Sequence, residues 1–429
     1  MCVWVCGCVC VCVCVCACVC ACVCARALVL LWPPCRALLC VGSGTCPLVV
    51  VDSVFFENVG TQVAGLFVYD VRSALVDATY FVGNQNTDLE TGGGAAYIAS
   101  STSFGASWVV SRSSFQHNRP HGGVISTVNV GDATNSVVFD QCSFTSAQGS
   151  CGLEIRGDVD VVVRNSSLRE CTAPDAAWGG FYVVGTAGTV LVEDTSFADT
   201  FARASSALLV NGATQLDVVR CRFERCGSSG TDNSVGVTPS LPGAVDVIGV
   251  ANARFANVSF IQCTTLGHGG AMRLAVVAAA SIQQARFYEC SAALEGGAVY
   301  GINATRLTVR DTAFEECSAA GGLHSGGGAM TAYMSSVDMS RSRFHKNVAY
   351  SGGGFTTSPH DPLSDGIVIS IRGTIFTDNH GIAESGALEL WDGVEGRVSA
   401  CLFHGNSATN HAGGFFALGV RRAHARLWC

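Results

Sequence analysis

Four cysteines, Cys226, Cys263, Cys290 and Cys317, recur at intervals of 27 to 37 residues. A thiol can serve as a metal ligand, a redox partner or a small apolar core residue, and spacing helps to separate these roles. Zinc needs a tetrahedron of ligands, whereas a regular repeat sets its cysteines in a line. We expect a stack of buried thiols. The alternative is disulfides between adjacent repeats, because a β-rung of about 4.8 Å lies within the Cα separation that a disulfide tolerates. Such bonds would fit an oxidising, extracellular setting. His121, His268, His324 and His411 stand near glycines in separate repeats and are expected to be solvated loop positions. No Ser/His/Asp order, phosphate loop or dinucleotide fingerprint occurs in a suitable context.

A repeat sets the position of these residues. Large apolar anchors stand at Phe55, Phe81, Phe115, Phe144, Leu168, Phe197, Phe223, Phe260, Phe287, Phe314, Phe344, Phe376 and Phe403, 24 to 37 residues apart. Five residues before each anchor is another apolar residue, from Val50 and Val76 through Phe139 and Ile282 to Val398. Two before it is a small residue. Three after it the column runs Asn58, Asn84, Asn118, Ala147, Cys171, Thr200, Cys226, Cys263, Cys290, Cys317, Asn347, Asn379 and Asn406. The alternation of apolar and polar positions signals short strands. Adjacent polar pairs such as Asp140-Gln141, Arg164-Asn165 and Arg310-Asp311 interrupt it and predict a bend.

A variable loop then leads to a Gly column: Gly65, Gly94, Gly123, Gly152, Gly180, Ser206, Gly243, Gly270, Gly297, Gly328, Gly354, Gly386 and Gly414. Gly at a fixed place implies a positive φ or a close approach that a side chain would block. No long stretch carries helical periodicity between caps. Repeats of this length cannot bury their apolar face alone, so they stack. The expected fold is all-β, a parallel β-helix (solenoid) of about 13 coils over residues 47–420. At about 4.8 Å per coil it would be a rod roughly 60 Å long, with an aromatic ladder and an amide ladder inside.

Gly269-Gly270-Ala271-Met272, Gly296-Gly297-Ala298-Val299 and Gly327-Gly328-Ala329-Met330 form one recurrent element. Phe81-Val82-Gly83-Asn84, Phe115-Gln116-His117-Asn118, Phe344-His345-Lys346-Asn347 and Phe403-His404-Gly405-Asn406 form another. Together they resemble the repeats of chlamydial polymorphic outer membrane proteins and related right-handed β-helix proteins of the pectin-lyase-like superfamily. The resemblance covers about residues 47 to 418 and implies a right-handed helix. The chain departs from it in the five repeats that carry Cys in place of Asn.

That superfamily includes polysaccharide lyases and hydrolases, so chemistry has to be weighed. Polygalacturonase-like hydrolases show N-T-D, D-D, G-H-G and R-I-K. Asn86-Thr87-Asp88 and Gly267-His268-Gly269 match two of these but lie many coils apart, in loops whose polar residues and Gly the repeat already supplies. General acid/base hydrolysis needs carboxyls within about 5 to 10 Å of each other. Pectate-lyase-like chemistry needs acidic calcium ligands beside an arginine base, and Asp140, Arg164 and Glu193 on successive coils are the best match. One acid–base–acid column offers too few oxygens for calcium, so we expect a surface charge ladder worth little to stability. No catalytic, cofactor-binding or metal-binding residue is assigned.

The ends of the chain differ from the middle. Residues 1–46 hold 14 of the 24 Cys and alternate Cys with Val or Ala. Alternating TGT and GTG codons account for this as a translated microsatellite; a membrane-length segment or a signal h-region are the other readings. From Arg421 to Cys429 the repeat pattern fails, which suggests a fragment whose further coils or anchor are missing. Net charge is −8 with no basic run, which argues against nucleic acid as a partner. Membrane association is expected only through residues 1–46 or missing C-terminal sequence. Asn165, Asn257 and Asn303 open glycosylation sequons.

The expected function is that of a non-catalytic extracellular or cell-surface β-helix. It would act as a rigid display scaffold, adhesin-like, binding polysaccharide or surface proteins through loops and lateral faces. The long insertions Gly227 to Pro242 and Thr356 to Gly366 are the natural contact candidates. The alternative is a pectin-lyase-like carbohydrate-active enzyme, a polysaccharide lyase or glycoside hydrolase. A third possibility is a degenerate gene product with no present role.

Overall fold

The chain folds as a right-handed parallel β-helix of about eleven turns. The computed structural model describes residues 47–418 apart from 61–63, 70, 88–93, 101–105, 119–122, 128–134, 149–151, 174–178, 186–187, 204, 230–241, 322–325, 359–365 and 392, together with residue 420 and a few terminal strands. Thirteen anchors had suggested about 13 coils. The anchor strands, from Val54–Phe56 in the first unit to Glu395–His404 in the second, pair anchor to anchor with their neighbours. The described residues contain no helix.

Two compact units are present: Met1–Ser196 with Asn211–Thr214, and Phe197–Val210 with Gln215–Cys429. In the first, Ala96–Ser100 pairs in parallel with Leu66–Tyr69 and Gly123–Thr127. Ser107–Ser111 pairs likewise with Ser73–Asp77 and Asn135–Asp140. In the second, Met272–Ala275 lies between Val245–Ile248 and Val299–Ile302, and Ala279–Gln283 between Asn252–Ala256 and Arg306–Arg310.

The readings offered for residues 1–46 fall largely outside the described residues. The backbone strands described there extend the first unit: Ala27–Leu30 runs parallel to Pro47–Val51, and Ala37–Val41 to Leu66–Tyr69. At the other end Arg422–Trp428 runs parallel to Glu395–His404 in the second unit. No helix among the described residues is long and apolar enough to cross a membrane.

The anchors form ring stacks inside each unit. Phe55, Phe81, Phe115 and Phe144 stack at 4.7–4.9 Å in the first. Phe197 to Phe403 stack at 4.6–5.0 Å in the second. The spacing equals the rung separation, so in-register parallel pairing sets the stacking distance. The apolar column five residues earlier is buried throughout, from Val50 and Val76 to Val398.

Between those two columns lies the bend that the adjacent polar residues predict. The residue three before each anchor takes the left-handed conformation, as in Asp52 (φ 47°), Arg112 (φ 46°), Asn165 (φ 51°), Asp311 (φ 51°) and Ala400 (φ 52°). A non-glycine there is uncommon and needs support from its surroundings. The next residue supplies part of it: the buried hydroxyls of Ser53, Thr79, Ser113 and Thr312 donate to the carbonyl two residues back. The thiols of Cys142 and Cys401 make the same contact.

Two residues of Gly-Gly-Ala do different jobs. Gly269, Gly296 and Gly327 take positive φ, at 71°, 62° and 62°. Gly270, Gly297 and Gly328 are pressed against the next coil, where a Cβ would lie 2.0–2.2 Å from the carbonyl oxygens of Gly297, Gly328 and Gly353. The strand register also corrects the sequence alignment. Phe355 pairs with Met330 and with Leu388, which puts Gly353, not Gly354, opposite Gly328 and Gly386. By the same pairing Gly413, not Gly414, faces Gly386. In the first unit Ala96 pairs with Leu66, which puts Ala95, not Gly94, opposite Gly65, and Gly123 pairs with Leu153, not with Gly152. A run of glycines has no side chain to mark its register; the following strand does.

Candidate functional site

The lateral face of the second unit carries a groove built by side-chain size. In Gln215–Val219, Asn252–Ala256, Ala279–Gln283 and Arg306–Arg310, alternate residues are buried and the others point outward. The register aligns the outward residues in two rows, Gln215, Asn252, Ala279, Arg306 and Asp217, Arg254, Ser281, Thr308. Ala279 and Ser281 are short where their neighbours are long. The result is a groove of about 390 Å3 with Asn252 and Arg254 on one side and Arg306 and Thr308 on the other. Gln215 Nε2 donates to Asp217 Oδ2 at 2.5 Å, and Arg254 lies 3.7 Å from the same carboxylate. A second groove of about 590 Å3 follows the bend, lined by Gln284, Arg286, Asp311, Arg341 and Arg343 among others. Arg341 forks onto Asp311 with two bonds of 2.8 Å and holds that carboxyl below its usual range.

The outward face of the short strands is more enclosed, because the Gly turns lap over it. Asp246, Arg273 and Tyr300 are register neighbours there. Arg273 Nε and Nη2 donate to the two Asp246 oxygens at 2.8 and 2.6 Å. Asp246 is 1% exposed. Burial pushes its carboxyl up, against the pull of Arg273. His268 is corrected by the structure. Its ring packs on Tyr300 at 4.5 Å, and its Nδ1 is buried without a hydrogen-bond partner, 3.6 Å from Glu295 Oε2. Burial and the nearby Glu295 push the Tyr300 hydroxyl upward. His268 is therefore a half-buried member of a polar cluster and not a solvated loop residue.

One coil of the same face carries a pair of carboxyls, Glu384 and Glu389, which hydroxyls of the preceding coil contact. Glu389 is 0% exposed on the strand Leu388–Leu390. Its Oε2 accepts from Thr356 Oγ1 at 3.2 Å, and Ser351 Oγ donates to Glu384 Oε2 at 2.9 Å. Burial, reinforced by Glu384, pushes the Glu389 carboxyl up to about 8. The sequence clue was an acid set among apolar neighbours in Leu388-Glu389-Leu390-Trp391; the alignment columns ran past it.

The other candidates are scattered. Asn86 is buried and Thr87 exposed, both in the first unit, while Asp88 lies outside the described residues. His268 belongs to the second unit. His121 and His324 lie outside the described residues, and His411 is exposed against Phe416. Arg164 bonds to Asp140 Oδ2 at 3.0 Å while Asn165 takes the other oxygen at 3.0 Å. Asn165 and Arg164 hold the Asp140 carboxyl below its usual range. Most of the insertions at 227–242 and 356–366 falls at 230–241 and 359–365, outside the described residues. Among the described residues no group of three or more His, Cys, Asp and Glu could hold a metal ion. Cys226, Cys263, Cys290 and Cys317 are buried free thiols; Cys171, in the same column, is disulfide-bonded.

Residues 95–238 match the family model of a right handed beta helix region. No curated protein and no solved structure is matched by the chain. The fold suits a pectin-lyase-like scaffold, and function has to be argued from the surface.

Proposed function

We propose that the chain is a non-catalytic extracellular or cell-surface scaffold that binds glycan chains on the lateral face of its second unit. The observation that carries this reading is the groove floored by Ala279 and Ser281. Its walls offer two amides, two guanidiniums, a hydroxyl and a carboxylate, a set that can donate to and accept from vicinal sugar hydroxyls. Its volume falls in the range of small-ligand sites, and it runs across four coils as an extended chain would require. The likeness of the Gly-Gly-Ala and Phe-x-x-Asn elements to polymorphic outer membrane protein repeats supports display at a surface.

Ser281→Trp fills the groove without touching the core. On a glycan array it should lose binding by about tenfold or more while its unfolding free energy stays within about 0.5 kcal/mol of wild type. Unchanged glycan binding by Ser281→Trp would remove the groove from the proposal, and turnover of a polysaccharide would remove the word non-catalytic.

A second reading, a carbohydrate-active enzyme, rests on His268, whose unpartnered Nδ1 faces Glu295 beside Tyr300. A screen against neutral and acidic polysaccharides decides it: turnover abolished by His268→Ala supports the enzyme, and absence of turnover in wild type rejects it.

A further inference from the structure

We propose that Glu384 and Glu389 form a calcium site on the short-strand face of the second unit, which goes beyond the glycan-binding reading. Glu389 is 0% exposed, and its Oε1 has no hydrogen-bond partner. Its carboxyl lies within hydrogen-bonding reach of the Glu384 carboxyl. Among the described residues neither makes an ion pair with Arg, Lys or His. Two like charges brought together out of water need a neutralising partner, which is either a shared proton or a cation.

The surroundings favour a hard cation. Thr356 Oγ1 and Ser351 Oγ each touch one of the two carboxylates, at 3.2 and 2.9 Å. The groups linked by these contacts are two carboxylates and two hydroxyls, with no sulfur or imidazole among them. Calcium accepts such all-oxygen, irregular sets, with six to eight ligands that can include carbonyls and water; magnesium demands a stricter octahedron. Occupancy would tie Glu384, on the turn before Leu388–Leu390, to that strand and to the coil that carries Ser351 and Thr356.

Trp391 is close enough to hydrogen-bond to Glu389 and can sensitise a bound terbium ion. In the full chain freed of metal by chelator, terbium should give saturable emission on tryptophan excitation, and calcium should compete it away. Saturating calcium should raise the melting temperature by about 2 °C or more. Glu389→Gln and Glu384→Gln should lose both responses, and Trp391→Phe should lose the emission while keeping the thermal shift. If Glu389→Gln does not fold, Ser351→Ala, which removes one oxygen and keeps both carboxyls, should weaken calcium binding several-fold. The proposal is overturned if wild type shows neither response. It is equally overturned if Glu389→Gln is more stable than wild type and calcium stabilises neither, the outcome expected of a shared proton.

Discussion

Within the second unit one interior column is filled in two ways. From Cys226 to Cys317 it holds four thiols, and from Asn347 to Asn406 three amides. The backbone does not distinguish them, for the neighbouring rings stack at 4.6–5.0 Å in both stretches. Each amide Nδ2 donates to the anchor carbonyl of the preceding coil, Asn379 to Phe344 at 3.0 Å and Asn406 to Phe376 at 2.9 Å. Asn379 Oδ1 and Asn406 Oδ1 each accept twice, Asn379 from Asn347 N at 3.0 Å and Nδ2 at 2.9 Å, whereas Asn347 Oδ1, next to the thiol stretch, accepts from Cys317 N at 2.9 Å. The thiols copy the first contact at 3.6–3.8 Å, Cys290 to Phe260 and Cys263 to Phe223. The backbone N–H of Cys226 faces the sulfur of Cys263 in place of an amide oxygen. The column therefore asks for a small buried group that satisfies a carbonyl and an N–H. Asn meets the demand with strong bonds, and Cys meets it with weak ones and apolar bulk.

The largest expected difference between the stretches is in their response to alkali. Burial pushes the Cys226, Cys263 and Cys290 thiols well above 9.0. A raised folded value means that the native thiol keeps its proton while the unfolded one gives it up. The stability contributed is therefore complete below about pH 9 and falls as pH rises toward the folded value, by about 1.4 kcal/mol per pH unit for each thiol. Urea unfolding at pH 8 and pH 10 should show this loss, and replacing Cys226, Cys263 and Cys290 by Ala should reduce it. An equal loss in both proteins would show that the thiols are not the cause.

Asn379→Ala comes next. It leaves the Phe344 carbonyl and the Asn347 N–H without partners in the interior, at a cost of about 3 kcal/mol. Cys290→Ala removes only a weak bond and a sulfur's volume, about 1–2 kcal/mol. Equal losses in urea unfolding would erase the distinction between the two stretches. The smallest effect is expected of Cys263→Asn. An amide there has the Phe223 carbonyl to donate to and the Cys226 N–H to accept from, so stability should stay within about 1 kcal/mol. A loss well beyond that would mean that the thiol stretch has a geometry of its own. Separately, a thiol count on the denatured, unreduced chain should find the four ladder cysteines free and Cys171 unreactive.

Much of the core was legible because the core is what repeats. Phe287, Ile282 and Cys290 stand at fixed offsets, and all three are 0% exposed. The bend at Asp311 could be foreseen from the interrupted alternation, although its left-handed backbone could not be read from an aspartate. The Gly column was right in kind and slipped by one at Gly94, Gly123, Gly354 and Gly414, where glycine offers nothing to align. The surface was much less legible. His268 looked like a chance match in a polar loop until the next coil brought Glu295 and Tyr300 beside it. The groove at Ala279 and Ser281 depends on the lengths of side chains on the neighbouring coils, Asn252, Arg254, Arg306 and Thr308, which lie 25 to 29 residues away.

What the sequence determined by itself was the coil: which residues point inward, where the strands bend and which column stacks on which. Those choices are governed by local alternation and by the need of each repeat to bury the same face, so a single chain writes them many times over. Tertiary structure alone decided which outward residues share a site. Glu384 meets Glu389 within one coil because the Gly turn folds back over the strand, while Thr356 and Ser351 reach the pair from the coil before. Lateral neighbours are set by rung register, and the sequence writes each such neighbourhood only once.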